Sequence, residues 1–260
     1  MMLTVVEVIG RSTQGRTEPY ICRCDDGEVY FVKGRSATRK GLINEWLCAN
    51  LAAAFKLPIA PFTLATVPEE LMASDLTGWL RDLGVGEVFA SKRVGATELT
   101  HAQLEHVPKE QRQDVLLFDW WIRNEDRCLT PHGGNVNLLW NPQRLAAQLV
   151  NDENGDIGAG LVVIDHNLAF DDTFSVTNFC ELHVFANDLP GLFSDFLLRD
   201  AYRTRLGHAL ATTWQSTCDN LPLAWAYIDT EQTIPTNYPF SHVKAILDGA
   251  LSNTFWTLPT

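Results

Sequence analysis

The chain has 260 residues, a formal charge of −12, and 46% hydrophobic with 10% aromatic side chains. That composition excludes an intrinsically disordered chain, and the acidic balance argues against a protein that wraps nucleic acid or binds an anionic membrane. The length fits one large domain or two lobes with a substantial buried core.

Six cysteines, at 22, 24, 48, 128, 180 and 218, are scattered without C-x-x-C spacing. They offer neither a zinc ribbon nor a disulfide framework and fit a reducing cytosol. The N-terminus has no basic leader and meets Glu7 early, and no apolar run reaches a membrane span, so a cytoplasmic protein is expected.

In chain order, LTVVEVI, YICRC and VYFVK are rich in β-branched and aromatic residues, with a turn at Asp25 to Gly27 between the last two. They predict an antiparallel meander. A helix is predicted from Arg39 to Phe55, where Ile43, Trp46, Leu47, Ala54 and Phe55 fall at helical spacings, ending before Pro58. A polar, acidic stretch from Pro68 to Gly86 leads to EVFASKRV, a further strand and the natural connection to a second lobe.

From about Thr100 helices dominate. Arg112 to Ile122 is apolar on nearly every face, which for a helix means burial. NVNLLW and GLVVIDHNLAF then predict two strands, separated by a polar turn around Asn151 to Gly160. The tail offers three amphipathic helices, Leu192 to Tyr202, Arg205 to Cys218 and Ser241 to Leu251. The fold class this implies is α+β and bilobal: a small antiparallel β lobe with one helix over residues 1–93, and a larger, mainly helical lobe over 94–260.

Several residues have the chemistry of phosphoryl transfer, which needs a cation for the phosphates, an anion to orient it, oxygen ligands for Mg²⁺ and a carboxylate at the attacking hydroxyl. Lys33 closes VYFVK, and Glu45 follows twelve residues later on the predicted helix. Asp126, in WIRNEDR, follows the buried helix and is placed to orient or deprotonate a hydroxyl. Asn135 and Asn137 precede LLW, and alternation puts both on one face if the strand begins there. Asp165 ends a hydrophobic run, where a carboxylate is costly unless it meets a cation. Taken singly, these are equally a solvated lysine, an exposed helix glutamate, a glycine–asparagine turn and a turn-capping aspartate.

The ordered series VYFVKG, INEWLCANLAAAFKLPIA, FDWWIRNEDR, GGNVNLLW and VVIDHNLAF resembles the HipA-like kinases, particularly their short stand-alone domains, and more distantly the phosphatidylinositol 3- and 4-kinases. The resemblance covers about residues 5 to 175 and implies a kinase-like fold, ATP and Mg²⁺ as cofactors, and a Ser/Thr hydroxyl of a protein as acceptor. By the same resemblance Lys33 matches the ATP-phosphate lysine and Glu45 its helix partner, Asp126 the catalytic aspartate, Asn137 the metal-binding asparagine and Asp165 the metal-binding aspartate. Gly10, Ser12, Thr13 and Gly15 lie where the family places its phosphate-covering loop, and Phe89, Ser91 and Arg93 lie at the hinge that meets adenine.

The ten residues between Asp126 and Asn137 are more than the family's usual four or so, which leaves Asn135 as a second metal-ligand candidate. The family also implies autophosphorylation in the covering loop, here at Ser12 or Thr13, and an antitoxin or regulator as partner. The extra N-terminal region of the full-length toxins is not expected. Other readings of the same residues are a lipid or small-alcohol kinase, a pseudokinase, and a metal-dependent hydrolase using Asp126, His132, Asp165 and His166, for which H-x-H or H-x-x-x-H spacing is missing. Cys22 and Cys24 share a strand face but have no second pair to complete a metal site.

Overall fold

A computed structural model describes residues 2–13, 18–129, 133–141 and 160–258. The protein is α+β, and its residues cluster into two compact units. The first contains Met1–Trp46, Ala60–Val94 and Asn220–Tyr238; the second contains Leu47–Ile59, Gly95–Asp219 and Pro239–Thr260.

The first unit is built on a closed five-stranded barrel in the order β1-β2-β3-β5-β4. The expected meander is present in β1 (Leu3–Arg11), β2 (Tyr20–Cys24) and β3 (Val29–Lys33), which pair antiparallel. EVFASKRV supplies β5 (Gly86–Lys92), antiparallel to β3. The expectation of a purely antiparallel lobe needs correction: β4 (Phe62–Val67) pairs with β5 and closes the barrel by a parallel contact with β1, Leu3 opposite Ala65.

Closure demands curvature, and β1 supplies it through register shifts between Val5 and Glu7 and between Val8 and Gly10. Val5, Tyr20, Cys22, Val32, Ala65 and Ala90 point into the barrel and are fully buried. Burial pushes the Cys22 thiol up to about 12 and that of Cys24 to about 11, so both are protonated core groups.

Helix α1 runs from Arg39 to Phe55, as its periodicity predicts. Residues 220–238 add a strap to this unit. The buried Trp225 donates from Nε1 to the Glu87 carbonyl on β5 (2.9 Å), Tyr238 Oη donates to Asn44 Oδ1 on α1 (2.6 Å), and Arg39 Nε donates to the Tyr227 carbonyl (3.1 Å).

The second unit is organised around α3 (Lys109–Trp121), whose Val115, Leu116, Leu117 and Phe118 are all 0% exposed. A five-residue helix, α2 (Glu69–Ala73), precedes it in the chain, in the first unit. The predicted strand pair forms the antiparallel ladder β7 (Leu138–Trp140) with β8 (Leu161–Val163), and β6 (Thr97–Glu98) adds an edge.

Among the described residues, the α-helices that follow are α4 (Val176–Leu182), α5 (Leu189–Ser194), α6 (Phe196–Asp219) and α7 (Phe240–Asp248). The first two predicted tail helices are instead divided at Asp195, which caps α6 by accepting from Leu198 N (3.0 Å), and α6 runs unbroken through Arg203 to Arg205. Gly207, within α6, packs closely under Leu251: a Cβ there would come 3.1 Å from Leu251 Cδ2. No helix among the described residues is long and apolar enough to cross a membrane.

Candidate active site

In the first unit the candidate residues start at the end of β3. Lys33 pairs in register with Phe89 of β5, and its side chain is 10% exposed. The chain then turns through Gly34, where any Cβ would fall 2.0 Å from the Leu83 carbonyl oxygen, so only glycine fits. Thr38 follows at a left-handed φ of 60° and accepts from Gly41 N at 3.1 Å, starting α1. Because α1 is buried on most faces, Glu45 has only 2% of its side chain exposed, and it ion-pairs with Lys33. A buried carboxylate and ammonium each need the other, since either alone is costly to desolvate.

The phosphate-loop candidates lie on β1 and beyond it. Gly10 faces Ile21 just after the second register shift; Ser12 donates its backbone N–H to the Pro19 carbonyl (2.8 Å), and Thr13 is exposed. Gly15 lies outside the described residues, as does His132. Phe89 is buried and stacks on Phe62 (5.9 Å), Ser91 lies opposite Phe31 and Phe62, and exposed Arg93 donates its N–H to the Val29 carbonyl.

In the second unit the loop after α3 is set by Asp119, one turn from the helix end. Its backbone carbonyl accepts from Asn124 N (2.9 Å) and its Oδ1 accepts from Asn124 Nδ2 (2.9 Å), with Arg123 turning through a left-handed φ of 51°. This places Asp126 half-buried, with Oδ2 accepting from Asn135 Nδ2 at 2.6 Å and Asn137 Nδ2 at 3.1 Å.

Gly134 lets that loop close: a Cβ there would lie 2.3 Å from the Cys128 carbonyl oxygen. The strand expected to begin at Asn135 begins only at Leu138, because Asn137 takes a left-handed φ of 46°. The two asparagines therefore meet at Asp126 through loop geometry, and strand alternation plays no part. Asn137 is the more buried, at 8% exposure.

Asp165, two residues beyond β8, also has a left-handed φ, 60°. The segment after it is tied back twice: Phe170 donates its N–H to the Ile122 carbonyl (2.7 Å), and Ser175 N donates to Glu125 Oε2 (2.7 Å). His166 is 3% exposed and packs edge-on against Phe118. Non-glycine residues at positive φ persist only where surroundings hold them, and they gather at functional sites. Arg123, Asn137, Asp165 and Phe170 gather here.

Burial raises the Asp126 pKa, and the Asp165 carboxylate adds to the rise, while Asn137, Arg127 and Asn135 oppose it. Two carboxylates that repel one another, with two asparagine side chains whose amide nitrogens donate to Asp126 and whose other polar atom is oxygen, offer only oxygen donors to a cation. Among the described residues no three His, Cys, Asp or Glu side chains gather as a metal site of their own. That fits Mg²⁺, which is held by one or two carboxylates together with substrate phosphates.

Sequence reasoning missed a network beneath this loop. Arg127, 0% exposed, donates from Nε to Asp119 Oδ2 (2.6 Å) and from Nη1 to the Asn137 and Ile164 carbonyls, the latter at 3.3 Å. His183 Nε2 lies 3.0 Å from Asp119 Oδ2. Burial works to raise the Asp119 pKa, but Arg127 and His183 outweigh it and hold the carboxyl well below the usual range. The sequence signal for this network was a charged residue, Asp119, inside the otherwise apolar run from Val115 to Ile122.

A family profile described as HipA-like kinase matches residues 5–259, nearly the whole chain. The chain belongs to the HipA-like kinase family. A search of curated proteins returns no match. Membership makes this HipA-like protein a kinase, hence a phosphotransferase, and kinases generally use ATP with Mg²⁺. The match also takes in the helical tail beyond residue 175, which carried no motif in the sequence.

Proposed function

We propose that this HipA-like kinase transfers the γ-phosphoryl group of ATP, in the presence of Mg²⁺, to a serine or threonine hydroxyl of a protein. In this reading the two compact units are the small and large lobes of a kinase-like fold, with residues 47–59 counted in the second and 220–238 in the first. The observation that carries it is Asp126, a half-buried carboxylate of raised pKa whose Oδ2 is fixed by two asparagine amides.

Asp126 orients the acceptor hydroxyl and takes its proton as the new O–P bond forms; the bond from the γ-phosphorus to the bridging oxygen breaks, and ADP leaves. A raised pKa suits a carboxylate that must accept a proton. Lys33, oriented by Glu45, binds the phosphates, and Gly10, Ser12 and Thr13 belong to the loop that covers them. Phe89 and Ser91 of β5, with Arg93 just beyond its end, meet adenine. Asn137 and Asp165 would hold Mg²⁺, with Asn135 beside them; the ion, when bound, neutralises phosphate charge.

The test is calorimetry with ATP and Mg²⁺ on the wild type and Asp165→Ala, followed by transfer from labelled ATP with Asp126→Asn. The expected result is Mg²⁺-dependent binding that Asp165→Ala weakens, and transfer that Asp126→Asn abolishes while nucleotide affinity stays within a few fold. Transfer by both variants at the wild-type rate would overturn the assignment.

A further inference from the structure

We infer that Arg127 is a positioning residue for Mg²⁺: held from behind by Asp119 and His183, its guanidinium fixes the two backbone segments that present Asn137 and Asp165. The inference rests on the Mg²⁺·ATP reading above and assigns the source of its metal-site geometry.

Both proposed ligands lie just beyond the paired ends of the antiparallel strands β7 and β8. The last cross-strand pair is Leu138 with Val163, and one more bond, Ile164 N to the Asn137 carbonyl (3.2 Å), follows it. Past that point the two chains turn through left-handed residues, 46° at Asn137 and 60° at Asp165, conformations that a free chain would leave. Arg127 Nη1 lies where they part, donating to the carbonyl of Asn137 itself and to that of Ile164, the residue before Asp165. The Val136 carbonyl, at 3.5 Å, is a third, weaker acceptor.

The other edge of the guanidinium is occupied by Asp119, through Nε at 2.6 Å and Nη2 at 3.4 Å. Asp119 is held in turn. His183 Nδ1 accepts from Phe185 N (3.1 Å), so the ring proton of the neutral imidazole lies on Nε2 and is donated to Asp119 Oδ2. The result is a chain from His183 through Asp119 and Arg127 to both ligand-bearing segments, with every charged member buried.

Geometry decides why arginine is needed. A planar fork can meet a carboxylate on one edge and carbonyls on the other, whereas lysine offers one ammonium at one point. Loss of the fork leaves the metal ligands in place chemically but no longer held in register. Changes to groups that orient metal ligands typically weaken metal affinity about 10- to 100-fold.

Mn²⁺ is the probe, titrated with a non-hydrolysable ATP analogue present and followed by electron paramagnetic resonance, on the wild type, Arg127→Lys and His183→Gln. Arg127→Lys is expected to bind Mn²⁺ at least about tenfold more weakly, and excess Mg²⁺ is expected to restore its transfer rate. A merely structural role would lower the melting temperature and leave the Mn²⁺ dissociation constant of the folded protein unchanged; that result overturns the inference. Should Arg127→Lys not fold, His183→Gln decides: a threefold or larger weakening supports the chain of contacts, and unchanged affinity sinks it. Failure of the wild type itself to bind Mn²⁺ with the analogue removes the Mg²⁺·ATP reading and this inference with it. Binding by the wild type with unaltered variants removes only the inference.

Discussion

Buried charge sets the behaviour of individual residues in this protein. Lys33 and Glu45 are 10% and 2% exposed at the side chain and form a buried ion pair. Glu45→Ala removes the carboxylate opposite a buried ammonium and is expected to cost about 3–5 kcal/mol in urea unfolding. His183 answers to pH. Burial lowers its pKa beneath 6.5 although Asp119 works the other way, so the folded protein prefers the neutral ring while the unfolded chain takes up a proton. The stability it contributes is therefore complete above 6.5 and declines as the pH falls below that value towards the folded pKa. The wild-type melting temperature should fall as the pH drops through 6.5, and His183→Gln should flatten that limb. Asp119 acts lower on the scale: its pKa is depressed, so its contribution is complete above 3.8 and is lost as the pH falls towards the folded pKa.

At the level of elements, the barrel is closed by contacts distant in sequence. Strand β4 follows Pro58 and Pro61 and carries the strand formers Phe62, Thr63, Thr66 and Val67, but it buries only Ala65 and Val67, so its local pattern does not say which strands it pairs with. It becomes a strand because β1 and β5 offer it two edges. The strap over residues 220–238 is anchored by Trp225, 0% exposed, and by its bond to Glu87. Trp225→Ala should destabilise the protein by about 3–5 kcal/mol, the usual cost of emptying a buried aromatic site. Hydrogen exchange should then quicken along Gly86–Lys92. Unchanged exchange there would mean that the strap does not support β5.

For the whole molecule the governing quantity is the charge of −12. An anionic nucleotide approaches a protein of the same sign, and salt shortens the reach of that repulsion from about 30 Å at 0.01 M to about 8 Å at 0.15 M. Association of a fluorescent ATP analogue with Mg²⁺ should therefore speed up with added salt. A slower rate would show that cations such as Lys33 dominate the field the nucleotide meets. Binding also stabilises the folded state, by about 2.7 kcal/mol at one hundred times the dissociation constant. Thermal melts with Mg²⁺·ATP should show this in the wild type and lose much of it in Asp165→Ala.

The amino-acid sequence by itself determined what is local: the strands of the meander, the helix from Arg39 to Phe55, the buried helix before Asp126, and the chemical types of Lys33, Glu45, Asp126, Asn135, Asn137 and Asp165. Periodicity and residue chemistry are properties of short windows, so they survive without tertiary contacts. Tertiary structure alone decided the parallel closure of β1 on β4 and the return of residues 220–238 to the first unit. It also placed both asparagines on one oxygen of Asp126 and put Arg127 beneath the backbones of Asn137 and Ile164. Those features rest on pairings across many residues and on left-handed turns at Asn137 and Asp165, whose energy is set by the groups packed around them and leaves no pattern in the neighbouring sequence.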